Sequence, residues 1–294
     1  MELVRKDLVA QKYGGATNLA YNEKIKKMIE EGHSVYHFGF GQSPFPVIEL
    51  ASESLKQHTG QCAYLHVQGL PALRKGICDF HRHYDHVTFD PEDIVVAPGS
   101  KELILLVMTV FNGEILLNSP SWTTYKPQAV LSGHCSIMVD SREEDEWRVT
   151  PQGLEKAVED LSSDRYKLLV LCNPCNPSES VQLYPEGAIL CSGMSKWAAA
   201  GGWRLGYHIY PRELQALRDV VASAGSHTYS CAPAPVQYAF AQVRNTLLSL
   251  GQNAAGRARA LDRFAEDLIA DSLATLQLTP PFVMVKTITT IYLP

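Results

Sequence analysis

Ser192-Gly193-Met194-Ser195-Lys196-Trp197, continued by Gly201-Gly202-Trp203-Arg204-Leu205-Gly206, is the stretch on which the reading of this chain turns. Just before it, Ala188-Ile189-Leu190-Cys191 is a short apolar run of the kind that makes a buried strand. A lysine just past the end of such a strand, among small residues, sits where a ligand's reactive atom can meet it. When buried, a lysine gives up its proton readily, and its neutral amine attacks an aldehyde carbon. Arg204 follows eight positions later, and its planar fork suits a phosphate. The plain alternative is a surface lysine after a strand, with the glycines serving only as turns.

An amine for an aldehyde and a guanidinium for a phosphate form the pair that pyridoxal 5'-phosphate requires. With G-G-W-R-L-G trailing it, the stretch resembles the class I/II aminotransferases, the fold-type I pyridoxal-phosphate enzymes. The resemblance implies that Lys196 is the Schiff-base lysine and Arg204 binds the cofactor phosphate. It also implies transfer of an amino group between an amino acid and a 2-oxo acid, both small molecules. The chain departs from the family at Gly193, where a serine is frequent.

The totals agree with such a protein. A chain of 294 residues, 46% hydrophobic and 19% charged, can bury one large domain and a smaller piece. A formal net charge of -5 leaves no basic footprint for nucleic acid. No apolar run is long enough to span a bilayer, and the N-terminus lacks the apolar core of a secretory signal. Seven scattered cysteines read as free thiols in a reducing compartment, so the expected location is cytoplasmic.

Outward from the central stretch, strand-like and helix-like runs alternate from Asp93 onward, which predicts a mostly parallel sheet sandwiched by helices. Strands are expected at Ile94–Val96, Ile115–Leu117, Ser136–Val139 and Leu168–Leu171, with a last strand-like run at Phe282–Leu293. Helices are expected at Lys101–Phe111, after a Pro98-Gly99 turn and capped by Ser100, from Thr150-Pro151 to Leu161, at Pro211–Ala224, at Pro235–Leu250 and at Ala254–Leu278. Earlier, 22–31, 46–58 and 71–85 read as helices and 35–40 as a strand. His81, His83 and His86 do not share a helix face, so no metal site is expected. The Cys172-x-x-Cys175 pair is followed by Pro177, which spoils the helix a thiol-redox site needs.

The resemblance assigns further residues. Gly39-Phe40-Gly41-Gln42-Ser43-Pro44 is similar to the loop whose backbone N–H, here at Gly41, meets the substrate carboxylate. Tyr64, in Y-x-x-x-x-G-x-x-x-L-R, matches the tyrosine that reaches the neighbouring subunit's cofactor phosphate, which implies a homodimer. Ser100 and Lys101 match the phosphate loop, and Trp122 matches the aromatic over the cofactor ring. Asn176 of N-P-x-N-P-S matches the asparagine on the phenolic oxygen. Read without the family, Tyr64 and Trp122 serve equally as packing aromatics.

Two segments of the family pattern are missing. Only 19 residues separate Asn176 from Lys196, where the family has a longer passage. That passage holds a further sheet strand and an aspartate for the pyridinium nitrogen. The C-terminal small domain is cut down, and no arginine matches the one that binds the substrate carboxylate. The expected division is an N-terminal arm and small-domain segment at 1–45, a large cofactor domain at 46–250, and a reduced small domain at 251–294. Impaired transamination is expected, or a catalytically inactive variant that binds cofactor weakly or serves as a dimerisation partner. Loss of a central strand is also expected to leave an apolar sheet edge exposed.

Overall fold

The computed structural model describes residues 5, 6, 8, 15–36, 41, 45–84, 86–159, 161, 165–172, 188–242 and the backbone of 282–287. Their strands are β1 (Ile94–Ala97), β2 (Gly113–Ser119), β3 (Ser136–Asp140), β4 (Tyr166–Cys172), β5 (Ala188–Gly193), β6 (Gly206–Ile209) and β7 (Phe282–Thr287). The helices are α1 (Thr17–Glu30), α2 (Glu49–His58), α3 (Pro71–Tyr84), α4 (Ser100–Val110), α5 (Tyr125–Leu131), α6 (Pro151–Val158), α7 (Gln215–Thr228) and α8 (Ala234–Gln242).

The seven strands form one sheet in the order β1-β6-β5-β7-β4-β2-β3, and only β6 runs antiparallel to its neighbours. The expected α/β architecture is what the chain adopts. Every residue of β1 is buried, as a strand covered on both faces requires. Alternate residues serve opposite layers. Val95, Ala97, Leu168, Val170, Ile189 and Cys191 pack with α4 and α7. Ile94, Val96 and Ile209 pack with α2, α3 and α8, and Leu169 and Leu171 pack with α6. Helix α4 buries Leu103, Ile104, Leu106, Val107 and Met108, so it lies flat across the middle of its face.

Several expectations need correcting. Ser100 is the first residue of α4 and not its cap; Gly99, at φ 96°, holds that position without a side-chain bond. Helix α2 starts at Glu49, three residues after Pro46. Val35 and Tyr36 form no strand, and residues 37–40, 243–250 and 254–278 lie outside the described residues. Helix α5 and strand β6 were not anticipated: Pro127 obscures the one, and G-Y-H-I is too short a run to stand out. Thr150 does cap α6, accepting from the Gly153 N–H at 3.1 Å. His81, set aside as a metal ligand, is a core residue bonded to the Tyr207 hydroxyl at 2.9 Å.

The largest difference lies in the centre of the sheet. No apolar edge is left open between β4 and β5, because Phe282–Thr287 runs parallel to both and pairs with both. It comes from 251–294, the block expected to form a separate small domain.

His208 on β6 is fully buried and is paired in register with Cys191. Burial pushes its imidazole down to about 3 from the ordinary 6.5. At neutral pH both folded and unfolded states hold it uncharged. Below 6.5 only the unfolded chain takes the proton, so stability is lost as pH falls from 6.5 toward 3. Between pH 7 and 5 this group costs about 2 kcal/mol. Urea unfolding of the natural chain and of His208→Gln is expected to show the natural chain losing about that much more over this range.

Candidate active site

The parallel strands β1, β2, β4, β5 and β7 point the same way, so the loops after their C-terminal ends meet along one rim. Such a rim is where ligands bind in open α/β sheets. Four of the residues singled out in the sequence reach it: Ser100 and Lys101 after β1, Trp122 after β2, and Lys196 after β5. Arg204 joins them from the turn before β6.

The loop that carries Lys196 is held from within. The Met194 N–H donates to Leu205 O, the Ala199 N–H to Lys196 O and the Ala200 N–H to Met194 O, each at 3.1 Å. A Cβ at Gly193 would stand 2.9 Å from Leu205 O. The serine frequent in the family is therefore replaced by a glycine that lets the chain ends of β5 and β6 close. The Lys196 amine donates to the carbonyl of Gly41. Burial lowers its pKa, and among the described residues the opposing influence is Cys172 at the end of β4. Part of the amine is thus neutral at a lower pH than an ordinary lysine allows.

Arg204 sits at φ 57° and bends back across the start of α4. Its Nη1 donates to Gly201 O at 2.8 Å and its Nη2 to Pro98 O at 3.0 Å. A Cβ on Gly99 would collide with Nη2, and one on Gly206 would collide with the Ser100 nitrogen. These two glycines allow the guanidinium and the helix end to approach. Lys101 follows on α4, its amine 5.1 Å from the Trp122 ring centroid. Burial, and then the Arg204 charge, push the Lys101 amine below the ordinary lysine range. Two cations and the first N–H groups of a helix start converge here, which is the makeup of an anion site.

The Trp122 ring meets Tyr125 edge to face at 5.3 Å and packs on the core. It is both a packing aromatic and a wall of the rim. Ser100 turns its hydroxyl down to the buried Cys191 thiol, which burial holds far above its usual range. Tyr64 stands on the loop between α2 and α3, 88% exposed. Gly41 presents its carbonyl to the Lys196 amine. Asn176 lies outside the described residues. In the sequence Gly99 reads only as a turn residue and Cys172 only as half of a C-x-x-C pair; their contacts here come from the fold.

The family model for aminotransferase class I and II matches residues 26–181 and 178–288, so nearly the whole chain is covered in two parts. The chain belongs to this family. The two parts meet between Asn176 and Lys196, where the sequence is short. An aspartate aminotransferase of Geobacillus stearothermophilus is 22% identical over 74% of this chain and 67% of its own length. One of Pyrococcus abyssi is 30% identical over 50% of this chain and 38% of its own. The solved aspartate aminotransferase of Thermus thermophilus with maleate superposes with a TM-score of 0.72 at 22% identity, covering 95% of this chain and 82% of that one. The chain spans about two thirds of the first of these relatives and under half of several others.

Class I and II aminotransferases depend on pyridoxal 5'-phosphate. The described residues of this aminotransferase fit that group in three respects. The Lys101 and Arg204 cations at the α4 start suit its phosphate, the Lys196 amine suits its aldehyde, and the Trp122 ring offers a flat wall. The cradle at Gly99 is as narrow as the backbone permits. Gly99→Ala is therefore expected to displace Arg204 and to cost about 1–3 kcal/mol from the backbone conformation alone. Urea unfolding measures the cost, and phosphate titration by calorimetry measures the weakened anion site.

Proposed function

We propose that this chain is a pyridoxal-phosphate-binding aminotransferase that moves an amino group between an amino acid and a 2-oxo acid, with low turnover. One observation carries the reading: a lysine amine of lowered basicity shares a strand-end rim with a cation pair on a helix start. Arg204, Lys101 and the first N–H groups of α4 would anchor the phosphate. Lys196 Nζ would hold the aldehyde carbon, and Trp122 would limit where the ring lies. Asn176 is proposed to meet the phenolic oxygen, and Gly41 to line the substrate side. When bound, the cofactor supplies an electron sink for the carbon that loses its proton. Lys196 Nζ, once released, is the base placed to take that proton and return it.

Low turnover follows from what stands at the sheet centre. The strand there, Phe282–Thr287, contains no acidic residue. Among the described residues, the group that acts electrostatically on Lys196 is Cys172, not a carboxylate. A sink without a nearby acid holds electrons poorly. The other reading, a variant that binds cofactor but does not turn over, rests on the same observation.

A homodimer is proposed from the exposed Tyr64, which has room to reach a second subunit. The division at 1–45, 46–250 and 251–294 is proposed with one amendment, that the last block lends β7 to the large sheet. Among the described residues no helix is long and apolar enough to cross a membrane, and a cytoplasmic location is proposed.

Borohydride treatment of the chain with pyridoxal phosphate, followed by peptide mapping, is expected to label Lys196. The rate of that reaction is expected to rise with pH about a midpoint below the ordinary lysine value of 10.5. Label on other lysines alone would overturn the assignment. Arg204→Ala is expected to weaken cofactor binding by about 1.5–3 kcal/mol, the worth of a charge-assisted contact. Equal affinity would place the phosphate elsewhere.

A further inference from the structure

Strand β7 enters the sheet out of chain order. Residues 243–281 lie between it and α8, yet its place is the middle of the sheet. It pairs with β4 from Lys167↔Phe282 to Cys172↔Thr287, and with β5 from Ala188↔Met284 to Cys191↔Thr287. Without it the sheet falls into two parts, β1-β6-β5 and β4-β2-β3. Among the described strands, no other hydrogen-bonded neighbour joins them.

The two parts have a second means of support. One core cluster, centred on α4, takes in Val95 and Ala97 of β1, Ile115 and Leu117 of β2, Leu168 and Val170 of β4, and Ile189 and Cys191 of β5. Helix α4 therefore bridges both parts, so they are joined through a shared core as well as through β7. The slot offers an inserted segment two rows of backbone partners, twice what a sheet edge offers. Its neighbours Leu168, Val170 and Ile189 are fully buried, so an apolar segment in extended conformation suits it. Phe-Val-Met-Val opens the resident strand.

We propose that the slot between β4 and β5 is a strand-binding site whose resident, residues 282–287 of the same chain, is exchangeable. A free peptide of the same sequence takes the slot when the resident leaves. The resident is assigned to the same chain because a tether of about 40 residues keeps it at an effective concentration that a second copy does not match in dilute solution.

The test uses the full chain with a specific protease recognition sequence inserted between Gly251 and Gln252. After cleavage, the C-terminal fragment is expected to elute with the body on size exclusion. A fluorescent peptide of residues 282–294 is then expected to replace it without denaturant. The same peptide carrying Val285→Pro lacks one ladder N–H and is expected to bind at least tenfold more weakly. Equal binding of the two peptides overturns the proposal. So does a fragment that elutes alone from a body still folded by circular dichroism, or one that leaves only where the body itself unfolds. On the uncut chain, hydrogen exchange at 283–287 is expected to be as slow as in β4 and independent of protein concentration. Protection that falls on dilution would assign the strand to a second copy and overturn the assignment to the same chain.

Discussion

Backbone amides and carbonyls at the centre of a covered sheet have no water to turn to, so each needs a partner within the protein. That constraint governs this molecule more than any side chain does. Strands β4 and β5 are buried on both faces, and the chain between them is too short to return a strand in the usual crossover. The requirement is met from a distant segment, and Phe282–Thr287 supplies two ladders at once. With them in place, the strand ends at Cys172 and Cys191 are held in one row, and the loop carrying Lys196 starts beside that row.

The site is built mainly on one side of this join. Lys196, Arg204, Ser100 and Lys101 all belong to β1, β5, β6 and the start of α4. Their geometry depends on glycines where the backbone comes close: Gly99 under the Arg204 guanidinium, Gly206 against the Ser100 nitrogen, and Gly193 against Leu205 O. Cationic groups gathered in this way repel one another, and that repulsion adds to burial, the larger cause, in making Lys101 less basic than usual. An anion between them would relieve that repulsion. The electrostatics thus favour a filled site, and a phosphate ester has the right charge and shape for it.

Much of this was legible in the residues. Alternating apolar runs gave β1, β2, β4 and β5, because strands buried on both faces are continuous stretches of Val, Ile and Leu. Lys196 and Arg204 stood out because the run from Ser192 to Gly206 resembles the aminotransferase family; the residues alone left a surface lysine after a strand equally open. Strand β6 escaped notice because four residues carry too little pattern, and α5 because Pro127 reads as a breaker. The role of Gly99 was hidden because a turn glycine and a contact glycine look alike until the neighbour is known. A strand at 282 was expected, but its place was not. Local pattern reports that a segment is extended and apolar, and it says nothing of which edges lack a partner.

The account's central claim is that the β5 rim is an aldehyde- and phosphate-binding site organised by Lys196. The visible absorption spectrum of the purified chain on titration with pyridoxal 5'-phosphate tests it most directly, with Lys196→Ala alongside. The account expects a saturable protein-bound band in the natural chain that the variant lacks. Identical spectra for the two proteins, matching the free cofactor, would contradict it.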